Sequence, residues 1–321
     1  MRGTSFIVLL AALLLGEAGP ARADYPDRPV RVIVPFIAGS APDVVARQAA
    51  QRLTGGLGQQ FVIENKPGAA GNIGAEVAAR AAPDGYTLML LTSSHIQNKF
   101  LYARLNYDVA RDFVPITILT RIPSLMVVPP SSPAKTVVEF VELAKANPGK
   151  LNYGSGGVGS LAHLSAEAFR FATGIDYVHV PYKGAPDIVL ALLGNQVQVG
   201  FPTMPTAFRS AKQGSLRALA VTTLQRLPFL PQLPTVAESG LPRYQSGNWY
   251  GIMVPAKTPR ETVVRVRDAV VAALNEPTVK KRLADIAYVP VGDTSEVFAA
   301  FVKSEIGELG KLVQQFKLTA D

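Results

Sequence analysis

No cysteine occurs in the 321 residues. Disulfides, thiolate metal sites and a cysteine nucleophile are therefore excluded. Long apolar runs are nearly absent too. The clearest, Phe6 to Leu15, is 10 residues, where a helix that crosses a bilayer needs about 20. Charged residues make up only 17% of the chain and there are 3 histidines. No pair among His95, His163 and His179 has metal-ligand spacing, and no Gly-x-Ser-x-Gly elbow occurs. Lys and Arg outnumber Asp and Glu by 32 to 24, a net charge of +8. They are scattered, which points to a solvated basic surface or mild steering of anionic solutes and argues against nucleic acid as a partner.

What is present begins with the first residues. Arg2, the apolar run and the small-x-small site Ala21-Arg22-Ala23 form the pattern of a secretory signal. A cleavable signal peptide over 1–23 is expected, with an exported, periplasmic mature chain starting at Asp24. An uncleaved anchor or a buried N-terminal helix is the other reading. Losing Arg2, Arg22 and Glu17 removes one net positive charge from +8, leaving +7. The length suggests about two domains, and 48% apolar residues with no low-complexity tract suit a globular protein.

Apolar segments of strand length alternate with helix-period segments, which argues for α/β lobes with mostly parallel sheets flanked by helices. The first strands are expected at Val30–Phe36, 61–64 and 86–91. The helix over 42–53 is expected to turn Val44, Val45, Ala49 and Leu53 inward. A second set of elements starts at Leu125–Val128, and the chain returns near 245. The expected division is lobe 1 at 24–124 and 246–321, and lobe 2 at 125–245. A ligand cleft between them would lie at the carboxyl ends of strands.

Three strand-to-helix segments carry candidate binding groups. The most informative is Gly154-Ser155-Gly156-Gly157-Val158-Gly159-Ser160, because glycines let a ligand approach the backbone and the next helix aims N–H groups at the turn. Its Gly154-x-Gly156-x-x-Gly159 pattern matches a dinucleotide fingerprint formally, but the acid expected after the next strand is missing, so no nucleotide or other cofactor is expected. The second is Ile37, Ala38, Gly39 and Ser40 leading to Asp43, which suits a helix N-cap or a counter-charge for a ligand amine. The third places the hydroxyls of Ser93 and Ser94 just past a strand end, in a loop. Tyr182 and Lys183 follow a strand and either reach the cleft or lie in solvent. His163 and Glu167 stand off an apolar helix face of Leu161, Leu164, Ala168 and Phe171, so a surface pair is expected. Trp249 suits core or domain-interface packing, or a cleft wall. An esterase built on Ser160 and His163 would lack an orienting acid.

Several segments resemble a known family. They include Tyr25-Pro26-Asp27-Arg28-Pro29-Val30, Glu64-Asn65-Lys66-Pro67-Gly68-Ala69-Ala70-Gly71, Ala82-Pro83-Asp84-Gly85-Tyr86-Thr87 and Val178-His179-Val180-Pro181-Tyr182-Lys183-Gly184. In order and spacing the chain is similar to the substrate-binding proteins of tripartite tricarboxylate transporters, the Bug or TctC-like family. The resemblance implies a monomeric, periplasmic, two-lobed clamp of the type II binding-protein kind, without catalysis or cofactor. It also implies small carboxylate ligands and integral membrane partners of the TctA and TctB kind. Ligand contacts would fall on Ile37–Asp43, on Ser155, Gly156, Gly157, Gly159 and Ser160, on Ser93 and Ser94, and on His163. Departures are Ile37-Ala38 in place of two prolines, Lys99 in place of another, and Pro202-Thr203 where an acid often stands. The missing acid argues against an amino-acid ligand. A ligand-sensing protein and a dehydrogenase-like or esterase-like enzyme remain the alternatives.

Overall fold

The computed structural model describes residues 25–316; the expected signal peptide lies outside them. Two sheets form the framework. The first contains β1 (Val30–Val34), β2 (Phe61–Asn65), β3 (Thr87–Thr92), β4 (Phe113–Pro123), β10 (Gly247–Pro255) and β11 (Val289–Pro290), in the order β11-β4-β10-β3-β1-β2. The second contains β5 (Leu125–Val128), β6 (Asn152–Ser155), β7 (Val178–Pro181), β8 (Val199–Gly200) and β9 (Arg217–Val221), in the order β7-β6-β8-β5-β9. Helices α1 (Ala41–Leu57), α2 (Asn72–Ala79) and α3 (Ser93–Leu101) belong with the first sheet, as do α8 (Arg260–Asn275), α9 (Pro277–Asp285) and α10 (Ser295–Phe316). With the second sheet go α4 (Val137–Ala146), α5 (Leu161–Thr173), α6 (Ala185–Leu193) and α7 (Met204–Lys212).

The strands read as unbroken apolar runs because each sheet is buried on both faces. Side chains alternate across the pleat. Val30, Val32, Val34, Leu88 and Leu90 enter one core of the first sheet, and Ile33, Met89 and Leu91 enter the opposite one. In the second sheet Met126 and Val128 face one core, Leu125 and Val127 the other.

The sheets are mixed where mostly parallel ones were expected. Strands β1, β2 and β3 are parallel, but β10 runs against both of its neighbours, β3 and β4. Likewise β6, β7 and β8 are parallel, and β5 runs against β8 and β9. Strand β11 also runs against its neighbour β4. The other two reversed strands, β5 and β10, are the ones that enter straight from the other sheet. Parallel pairing needs a crossover connection, and these strands have none. Strand β4 escaped the sequence pattern because prolines at 115 and 123 interrupt it. Helix α7 was also unforeseen. In α1 the inward face is Val45, Ala46, Ala50 and Leu53, while Val44 is exposed.

The chain passes between the sheets at Ser124 and again at Ser246. One buried threonine joins these two passages. Thr222 N–H donates to Ser124 O at 3.1 Å, and Thr222 O accepts from Ser246 N–H at 2.9 Å. Its hydroxyl oxygen accepts from Ser124 N–H at 2.9 Å and donates to Ser246 O at 2.5 Å. Just beyond, Trp249 is buried between Phe298 and Phe301 of α10, with ring centroids 5.4 and 5.5 Å away, so it serves the core. Replacing Thr222 with valine keeps the side-chain shape but leaves the buried Ser124 N–H without that acceptor. The expected cost is about 1–3 kcal/mol, read as a lower urea midpoint at an unchanged m-value.

Candidate functional site

One end of each sheet has the same parallel order, β3-β1-β2 and β8-β6-β7 with β2 and β7 at the edges. Strands β1 and β6 are thus equivalents, and the segments after them lead into α1 and α5. These segments fold alike. Ser40 N–H donates to Ile37 O at 3.2 Å, and Ser160 N–H to Gly157 O at 3.1 Å. The third residue of each turn is a glycine in the left-handed region, Gly39 with φ 79° and Gly159 with φ 76°. That is the type II turn, which favours glycine at this position. Ser40 and Ser160 then take the extended N-cap conformation.

Three residues into each helix, a side chain reaches back to the glycine. Gly39 N–H donates to Asp43 Oδ2 at 2.8 Å, and Gly159 N–H donates to His163 Nδ1 at 3.2 Å. Asp43 is therefore not the N-cap that the sequence suggested; Pro42 suits the first helical turn and the helix starts before Asp43. Nor is it a free counter-charge. It is buried, and it also accepts from Arg47 Nε at 2.9 Å and Asn65 Nδ2 at 2.8 Å. Burial pushes its pKa up, but Arg47, Asn65 and the Gly39 amide together outweigh that and hold it below the usual carboxylate range.

His163 and Glu167 are buried, where a surface pair was expected. Ala162 to Glu167 and Phe169 of α5 are buried, including the expected Leu164; Leu161 and Ala168 are half-buried and Phe171 is exposed. The sequence placed the buried face only in part because polar residues occupy some of it. Glu167 accepts from Tyr153 OH at 2.7 Å and pairs with Arg170 at 3.0 Å. His179 packs 4.4 Å from His163, ring to ring, and stacks on Tyr153 at 4.9 Å. Its Nε2 lies 2.5 Å from Ser155 Oγ, which accepts from Gly157 N–H at 3.0 Å. Burial, with His179 and Arg170 nearby, lowers the His163 pKa to about 4. Burial lowers that of His179 as well, against the pull of Glu167. Both rings are neutral at pH 7, as His163 Nδ1 must be in order to accept.

The remaining expected residues fall around this cluster to different degrees. A side chain on Gly156 would lie 3.6 Å from Gly184 Cα, which sets the Tyr182–Lys183 turn beside the glycine loop. Tyr182 N–H donates to Ser155 O at 2.8 Å, and Lys183 is exposed. Pro202 O accepts from Leu125 N–H at 3.0 Å and Thr203 bridges Ser124, so both sit at the first passage between sheets. The expected hydroxyl loop does not exist, since β3 runs directly into α3. Thr92 is the N-cap, and its N–H donates to His95 Nδ1 at 3.2 Å. Ser94 Oγ pairs with Thr92 Oγ1 at 2.7 Å, and Ser93 Oγ donates to Asn248 Oδ1 at 2.8 Å. Lys99 pairs with Asp108.

The two sheets approach each other where a Cβ on Gly159 would lie 3.5 Å from Leu101 Cδ1 of α3. Among the described residues no hydrogen bond joins Ile37–Asp43 to the glycine loop. A separate apolar pocket behind α1, lined by Val45, Leu119, Val270, Leu274 and Leu283, includes none of the expected residues. Sequence reading missed the matched motif Gly-Ser-x-x-acceptor at 39–43 and 159–163. The signal for it was the repeated Gly-Ser pair before both helices.

Residues 45–318 match the family model described as "Tripartite tricarboxylate transporter family receptor". BugT of Bordetella pertussis is 34% identical over 94% of this chain and 93% of its own length. A TctC solute-binding protein from Polaromonas, solved with no ligand, is 30% identical, covers 91% of this chain and 99% of its own, and has a TM-score of 0.85. Rpa4515 of R. palustris, solved with adipate, is 35% identical, covers 92% and 99%, and has a TM-score of 0.70.

The buried histidines set a pH dependence. His95, fully buried, is lowered to about 4 by burial against hydrogen bonds with Thr92 and Gly71, and His163 is lowered likewise. The unfolded chain protonates each ring below about 6.5, whereas the folded chain does so only near 4. Stability should therefore fall as pH drops through that window, by on the order of 3 kcal/mol per histidine. Urea titrations at pH 7 and pH 4.5 check this, and His163→Asn should show the shallower decline.

Proposed function

The chain belongs to the tripartite tricarboxylate transporter receptor family, and on that premise we propose that it captures a small organic carboxylate between its lobes and delivers it to membrane subunits of the TctA and TctB kind. The observation that carries this reading is the matched pair of glycine turns, each at a helix N-terminus and each at the carboxyl end of an equivalent strand. Backbone N–H groups there suit an anion, and the helix end adds about 0.3–1 kcal/mol, up to about 2 when partly buried. The adipate held by the R. palustris relative is an anion of this class. In this reading Ile37, Ala38, Gly39 and Ser40 serve the first lobe, and Gly156, Gly157, Gly159 and Ser160 serve the second, with Lys183 as a nearby cation. Ser93, Ser94, Pro202 and Thr203 line the back of the cleft near the passages.

The lobes are taken as 24–124 with 246–321, and 125–245, and the mature protein as a periplasmic monomer freed of residues 1–23. The structure agrees better with the ligand-free relative than with the adipate-bound one, although the latter is closer in sequence. That order supports an open state that closes on its ligand. Among the described residues the one serine hydroxyl in side-chain contact with a histidine ring is that of Ser155, on His179. Ser155 is fully buried beneath the glycine loop, and among the described residues no carboxylate is hydrogen-bonded to His179, so the pair lacks both access and an orienting acid.

Calorimetry with adipate and with linear dicarboxylates of other lengths tests the reading. At least one should bind to the wild type. Gly157→Val, forced to φ 98°, should lose about tenfold or more in affinity with the fold retained. Small-angle scattering should show a smaller radius of gyration at saturation. Equal affinity in wild type and variant would count against the turn as the site, and an unchanged radius would count against closure.

A further inference from the structure

The first turn and the glycine loop differ in one respect that the shared geometry isolates. Both spend the inward glycine N–H on a side chain three residues into the helix, an aspartate in one lobe and a neutral histidine in the other. The peptide between the second and third residues of a type II turn is fixed once that N–H is held. Its neighbours, the amides of Ala38 and Val158 at the exposed tips, are not engaged by these side chains.

Resting on the carboxylate-binding reading, we propose that Asp43 and His163 are a matched pair of positioning residues: each holds the inward glycine amide of its turn so that the outward amides face the ligand. Neither touches the ligand itself. His163 Nδ1 must be unprotonated to accept, so its proton sits on Nε2. Its position is secured by the ring of His179 and by the Ser160 hydroxyl, which accepts from His163 N–H at 3.3 Å. On the other side of the array, Ser155 holds Gly157 and is itself held by His179. The second loop is thus fixed at alternate amides, 157 and 159. Asp43 is secured by Arg47 and Asn65. The charges differ accordingly. The first turn rests on a buried carboxylate neutralised by arginine, and the second on uncharged imidazoles.

The test reads the turn directly and needs no ligand. In the wild type, ring nitrogen NMR should show His163 as the Nε2–H tautomer; the Nδ1–H tautomer would overturn the proposal without any variant. Amide exchange at Gly159 should quicken about tenfold in His163→Leu, while amides in the middle of α5 keep their protection. His163→Asn places an acceptor oxygen near the lost Nδ1 and should restore Gly159 protection to within about threefold. Asp43→Asn should likewise keep Gly39 protected. Unchanged Gly159 exchange in His163→Leu would overturn the positioning role whether or not any carboxylate binds. Adipate affinity is read separately by calorimetry. The leucine variant should lose affinity and the asparagine variant regain it. If asparagine restores exchange but not affinity, the imidazole itself meets the ligand and the proposal fails. Absence of binding by the wild type bears on the carboxylate reading alone, since exchange still decides the role of His163.

Discussion

A backbone N–H turned into a protein must find an acceptor, because leaving it unpaired costs as much as a lost hydrogen bond. That demand shapes both turns of this chain. A glycine with positive φ points its amide inward, where a helical side chain receives it. The same arrangement defines where the helix begins, which residue caps it, and which amides are left facing outward. Helix start and candidate anion site are one construction, made twice.

The duplication follows from the way the sheets are assembled. Each has three adjacent parallel strands in the same order, and each is entered by a reversed strand that comes straight from the other sheet; the first sheet carries β11 as a second reversed strand. Equivalent strands therefore deliver equivalent turns. The supporting residues nevertheless differ. Under the first turn lie Asp43, Arg47 and Asn65, ionic and partly open to water. Beneath the second, the imidazoles of His163 and His179 pack against Tyr153, with Glu167 and Arg170 behind them. One shape is thus maintained by two unlike chemistries.

Much of this could be read from the residues. Strand positions, the break at Asn147-Pro148-Gly149 and the two glycine segments followed from apolar pattern and turn chemistry, and the family from the resemblance of segments such as Val178-His179-Val180-Pro181-Tyr182-Lys183-Gly184. The misses have physical causes. Proline at 115 hid β4, because the strand signal assumes that every residue can donate. The segment after Thr92 looked like a loop because serine and histidine are weak helix formers, yet Thr92 and His95 cap α3 there. The faces of α1 and α5 were read in part, with Val45, Leu53 and Leu164 buried as expected and Val44 and Phe171 exposed, because buried polar groups with internal partners look solvent-exposed in a hydrophobic pattern. Asp43, Ser155 and His163, expected as ligand contacts, each accept a hydrogen bond from a glycine amide of the chain itself. Sequence reveals which groups could bind, but not which are already committed to the protein's own backbone.

The threonine that fastens the two passages has a geometric consequence. Ser124 and Ser246 cannot drift apart while Thr222 bonds both, so any swing of one lobe against the other must pivot on a line through that knot. Travel along an arc grows with distance from its pivot. Ser93, tied to Asn248 only two residues from Ser246, sits almost at the axle and would scarcely move. Backbone and hydroxyl of one residue thus tie the two passages to each other at a single place.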